Sequence, residues 1–94
     1  MKYYKRYNFP VSPNRPATAT YYRVSEDGMW IDIAEIDRGG NILRMEKKQF
    51  LAQGEFNFAY AKLKRQRLLK AVPEETEPIF AECDRRRNGG ISVG

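Results

Sequence analysis

Thr20-Tyr21-Tyr22-Arg23-Val24-Ser25-Glu26-Asp27-Gly28-Met29-Trp30-Ile31-Asp32-Ile33-Ala34-Glu35-Ile36-Asp37 is the stretch on which the fold turns. Asp27-Gly28 between two β-prone runs is a hairpin signal, because glycine tolerates the positive φ of a type I′ turn. The second run, Met29 to Asp37, alternates: Ile31, Ile33 and Glu35 project one way, while Trp30, Asp32, Ala34 and Ile36 project the other. Both faces carry apolar groups, which predicts a central strand.

Toward the C-terminus, Arg38-Gly39-Gly40-Asn41 reads as a second turn, and Ile42 to Met45 as a third strand antiparallel to the second. From about Glu46 the residues are good helix formers without proline until Pro73, which predicts one helix of about twenty residues. Phe56, Ala59, Tyr60 and Leu63 follow the i, i+3, i+4, i+7 spacing of a buried stripe. Gly54 costs about 1 kcal/mol relative to Ala inside a helix, so a start there, with Lys47 to Gln53 as a separate turn, is also open. The expected fold is α+β: a three-stranded antiparallel β-meander packed against one C-terminal α-helix, with extended N- and C-terminal arms. Ile31, Ile33, Leu43 and Met45 are expected to meet the helix stripe.

That order of elements resembles the sheet-reading DNA-binding domains of plant ethylene-response factors and some phage integrases. Their sheet is rich in Arg and Trp aimed at the major groove, whereas the central strand here is acidic. Only element order is shared, and fold does not carry function.

Three units are expected: an extended, basic, Pro-rich arm over residues 1–19, a compact domain over 20–72, and an extended or flexible tail over 73–94. Pro10, Pro13 and Pro16 exclude helix and central strand from the arm, and Pro73 and Pro78 mark the end of regular structure. Ile79 to Cys83 is the apolar patch of the tail, able to dock on the core or on a partner. Arg85-Arg86-Arg87 and Asn88-Gly89-Gly90 read as a flexible end.

A chain of 94 residues makes one domain at most, and its 41% hydrophobic and 13% aromatic content suffices for a core despite 31% charged residues. No run reaches the ~18 apolar residues of a membrane helix, and no apolar signal segment follows the charged N-terminus. A soluble, cytoplasmic protein with no membrane partner is expected. Cys83 is the single cysteine, so neither an internal disulfide nor a cysteine zinc site can form.

Charge is sorted along the chain, and the net charge is +5. Met1 to Ser25 carries Lys2, Lys5, Arg6, Arg15 and Arg23 and no acid, Glu26 to Asp37 carries five acids and no base, and Arg38 to Lys70 carries nine bases against two acids. Such sorting suits a binding surface better than a reaction centre. With no histidine, the commonest general base is absent. Asp32 faces away from Glu35 and Asp37, so the strand offers no convergent acidic trio. The spacing matches no metal site, and Gly39-Gly40 lacks the Gly-Lys-Ser/Thr of a phosphate loop. No catalytic residue, no metal ligand and no cofactor is assigned, and the chain is not expected to be an enzyme.

Two segments suit nucleic acid. The run Lys2 to Phe9 interleaves Lys5 and Arg6 with Tyr3, Tyr4 and Tyr7, cations for phosphates among rings for bases. Equally, those tyrosines could lie across the sheet and close the core. The run Lys62 to Lys70 holds Lys62, Lys64, Arg65 and Arg67, readable as a phosphate-contacting helix or as a solvated face. The expectation is a small basic nucleic-acid-binding protein, for DNA or RNA, acting through phosphate contacts and aromatic stacking. The alternative is a protein-interaction adaptor or inhibitor, or self-association pairing the acidic hairpin with the basic helix.

Overall fold

The computed structural model describes residues 1–9 and 17–89. Seven elements follow in order: β1 (Lys2–Asn8), β2 (Thr18–Val24), β3 (Trp30–Asp37), β4 (Ile42–Gln49), α1 (Gln53–Lys64), β5 (Leu69–Lys70) and α2 (Pro73–Gly89). The strands form one sheet in the order β4-β3-β2-β1-β5, and every neighbouring pair is antiparallel.

The fold is α+β, but the expected three-stranded meander is a five-stranded sheet and the single helix is two. Lys2–Asn8, expected as part of an extended arm, is a strand running from Lys2 opposite Val24 to Asn8 opposite Thr18. The central strand is therefore β2, although β3 is still flanked on both sides. Pro10, Pro13 and Pro16, which carry the arm reading, and the tail beyond Gly89 lie outside the described residues. With a fourth meander strand, a fifth strand and a second helix, the likeness in element order to the sheet-reading domains does not hold.

Both hairpins fall where expected, on wider turns than the two-residue form. Gly28 (φ +74°) and Gly40 (φ +83°) occupy the left-handed region that a β-carbon disfavours. Ser25 Oγ accepts from the Met29 and Trp30 N–H groups, at 3.1 and 3.0 Å, and closes the first loop. Asp37 Oδ1 accepts from Gly39 N–H and Asn41 N–H, each at 2.9 Å, and closes the second. Those bonds hold the Asp37 carboxyl below the usual carboxylate range.

Alternation along the strands gives the sheet two apolar faces. On one, Tyr22, Val24, Ile31 and Ile33 pack with Phe56 and Leu63 of α1, joined by Ala59 and Tyr60, so the helix stripe lies where the spacing predicts. On the other, Tyr21 and Ala34 pack with Phe80 and Cys83 of α2, joined by Ile36, Ile42 and Met45. Met45 thus faces α2, contrary to expectation, and Leu43 is 54% exposed. The cause is a bulge: Glu35 pairs with Arg44 and Ile36 with Ile42, leaving Leu43 as the extra residue. The inserted residue lets Ile42 and Met45 share a face and turns Leu43 to solvent.

Helix α1 begins at Gln53, within one residue of the Gly54 start and not at Glu46, and Lys47–Gln49 is strand and not a turn, because Glu46–Gln49 pairs with β3. Cross-strand pairing outweighs the helix propensity of Glu46, Lys47, Lys48 and Gln49, which tertiary context readily overrides. The tail is helix where a flexible end is expected. Pro73 stands at the first helical position, where its missing N–H is not needed, and Thr76 N–H and Oγ bond the Val72 carbonyl at 3.2 and 2.9 Å. Pro78 does remove an internal donor, but Thr76, Phe80 and Cys83 are each 0% exposed against the sheet. Burial of that face offsets the lost bond. Arg85 and Arg86 pair with Glu82, at 2.5 and 3.2 Å, and complement the helix C-terminus.

Candidate nucleic-acid interface

Strand β5 pairs with Tyr4 and Lys5 only, so among the described residues the second half of β1 has no strand neighbour on that side. Beside this open half-edge α1 ends: Arg65 is its C-cap, Gln66 N–H bonds Leu63 O at 3.1 Å, and Leu68 N–H bonds Gln66 O at 2.8 Å. Leu68 packs back on the α1 core and draws the turn against the sheet. The outcome is a groove of about 540 Å³ lined by Arg6, Tyr7 and Phe9 on one wall and Arg65, Gln66, Arg67 and Leu69 on the other.

Among the described residues, three guanidinium groups and no carboxylate line this groove. Arg6 is half-buried and aimed, since its Nη1 donates to Gln66 Oε1 and its Nε to Asn8 Oδ1 at 3.1 Å. Asn8 is fixed in turn by donating to Thr18 and Thr20 hydroxyls at 3.1 and 2.8 Å. None of this neutralises the Arg6 charge. Tyr7 is 51% exposed and Phe9 84%, so apolar ring surface stands beside the cations. Such a surface can hold phosphates and stack a planar ring at once.

Of the sequence-derived candidates, Arg6, Tyr7, Arg65 and Arg67 are brought together here. The others have different neighbours. Tyr3 donates to Glu77, which raises its hydroxyl pKa. Tyr4 packs in the α1 core and shares a 2.6 Å bond between hydroxyls with Tyr60, and burial raises its pKa. Lys5 Nζ pairs with Glu75 at 3.1 Å, which raises its pKa. Lys64 lies 4.5 Å from the Tyr60 ring centroid, and Lys62 is exposed on α1. The helical run of cations is divided, because α1 stops at Lys64 and Arg67 stands in the following turn.

Phe9, Gln66 and Leu69 complete the lining and were not legible as site residues. Phe9 ends the aromatic-cation run and could have been included on that signal; Gln66 and Leu69 carry none. The three acids of β3 are engaged in structure. Asp32 lies in a buried ion network, Glu35 accepts from Thr18 at 2.9 Å, and Asp37 closes its turn. Among the described residues no group of His, Cys, Asp and Glu is arranged to hold a metal ion, and no helix is long and apolar enough to cross a membrane.

No family model, curated protein or solved structure matches this chain.

Proposed function

We propose that the chain is a nucleic-acid-binding accessory protein, not an enzyme, that holds a phosphate backbone in the groove of Arg6, Arg65 and Arg67 and stacks bases on Tyr7 and Phe9. The observation that carries this reading is three guanidinium groups lining one groove with no acid among its described residues, next to two exposed rings. A solvated set of surface arginines would not need Arg6 to be aimed through Gln66 and Asn8. Bidentate guanidinium geometry suits phosphate oxygens, and counterion release makes such binding salt-sensitive.

Fluorescence anisotropy of labelled oligonucleotides tests the proposal. Neutralising three phosphates of a single strand gives a slope of about −2 in log affinity against log salt, so a fourfold rise in salt should weaken binding about twentyfold. Absence of binding at about 50 mM salt would sink the reading. A protein partner would then become the better account, with the exposed Leu51 and Phe58 around α1 as its first candidates.

A further inference from the structure

Resting on that reading, we infer that the bound strand is single-stranded and that one of its bases turns out of the stack into a second pocket, on the far side of the wall made by Tyr7 and Phe9. Both residues line this pocket as well as the arginine groove. It has a volume of about 350 Å³, and Ala17, Ala19, Tyr21 and Ile36 supply its apolar surface. Small-ligand clefts span roughly 300–1,000 Å³, so this one takes a planar base and not the side of a duplex.

Three features favour a base as the occupant. The phosphates held by Arg6, Arg65 and Arg67 would lie across one shared wall, so a base turned over that wall stays tethered to its own backbone. A base within a duplex is stacked and paired and enters only at the cost of flipping out, whereas an unpaired base can be splayed onto aromatic side chains without that cost. The local acids do not oppose an anionic ligand as isolated charges: Glu75 is engaged by Lys5 and by the Tyr21 hydroxyl, and Asp37 by its own turn.

Apart from Arg38, which also lines the pocket, the polar groups at the rim are committed. Asn8 donates to Thr18 and Thr20 and accepts from Arg6, and both Asp37 oxygens accept bonds from the turn, Oδ2 from the Asn41 side chain at 3.1 Å. Recognition would come from stacking and enclosure more than from base edges, so tolerance of base identity is expected.

The test measures the native protein at about 50 mM salt against a thymine oligonucleotide, the same-length strand with abasic sugars, and a duplex. The thymine strand should bind on the order of tenfold or more tighter than the abasic strand, and tighter than the duplex. Two filling variants, Ala17→Leu and Ala19→Leu, should weaken the thymine strand and leave the abasic strand unchanged, because neither residue lines the arginine groove. The second variant guards against misfolding of the first. Equal affinity for thymine and abasic strands, equal affinity for the duplex, or indifference of folded filled variants would overturn the base pocket while leaving phosphate binding intact. If no oligonucleotide binds, the proposed function itself fails, and the pocket with it.

Discussion

Asp32 of β3 and Arg87 of α2 form a two-pronged ion pair, with nitrogen–oxygen distances of 2.7 and 3.2 Å and the carboxylate 0% exposed. Arg23, opposite Asp32 on β2, donates to the same carboxylate at 2.9 Å, and Asp84 approaches Arg87 at 3.1 Å and Arg23 at 3.4 Å. Arg23 also lies over the Trp30 and Phe80 rings, at 5.1 and 5.0 Å from their centroids. Two acids and two bases thus join the C-terminal helix to the middle of the sheet. The bonds to Asp32 raise the Arg87 pKa further.

Breaking this network should release α2 before the rest of the fold. A buried pair that loses one partner typically costs about 3–5 kcal/mol, because the other charge stays buried without compensation. Asp32→Asn and Arg87→Leu are each expected to lower the urea midpoint, with early loss of hydrogen-exchange protection in α2. Uniform loss of protection across sheet and helix would show that α2 is not a separable unit.

Cys83 should report the docking of α2. Its thiol is 0% exposed, and burial, then the Asp32 charge, pushes its pKa up. A thiolate is the reactive form, so native protein should react slowly with a thiol reagent and Arg87→Leu much faster. Equal rates would mean that the ion network does not govern access to this face.

Alkali should destabilise the fold through Tyr21. Burial first, and its bond to Glu75 second, raise its pKa from 10.0 to about 12. A raised pKa means that the folded state holds the proton more tightly, so the contribution is complete below pH 10 and is lost as pH rises toward 12. The linkage amounts to about 2–3 kcal/mol. Tyr21→Phe should flatten the fall of Tm across that window, and an unaltered pH profile would assign the fall to other tyrosines. Glu75 acts oppositely: bonds from Tyr21, then Lys5, lower its pKa, so its contribution is lost on acidification.

The arginine groove predicts a separation among basic residues. Replacing Arg6, Arg65 and Arg67 by Gln should flatten the salt dependence of oligonucleotide binding by about 2 in slope. Lys5→Gln should leave that slope unchanged, since Lys5 is already paired with Glu75. The opposite ranking would move the binding surface to the face covered by α2.

Several features were legible in the residues alone. The alternation of Tyr21 to Ile36 places β2 and β3, Gly28 and Gly40 mark their turns, and Phe56, Ala59, Tyr60 and Leu63 define the buried side of α1. These are local signals, with periods of two or 3.6 residues and a φ that glycine alone adopts cheaply. The aromatic-cation run of β1 could be read as ring platform or as core, and the sheet divides it, with Tyr4 inward and Tyr7 at the surface.

What local signals could not decide depends on residues far apart in the chain. The second apolar face of the sheet requires a covering element, yet nothing within β2 or β3 says that it comes from beyond Pro73. Pro78 and Arg85 to Arg87 argue locally for a chain end. Only burial of Phe80 and Cys83 and the pairing of Arg87 with Asp32 outweigh that preference. The groove arises in the same way. Arg6 and Arg65 are distant in sequence, and they meet because α1 ends beside the half of β1 that β5 does not pair. Composition and periodicity determined a basic α+β chain with a hairpin and an amphipathic helix. Tertiary packing decided which charges are spent on holding the fold and which are left facing solvent.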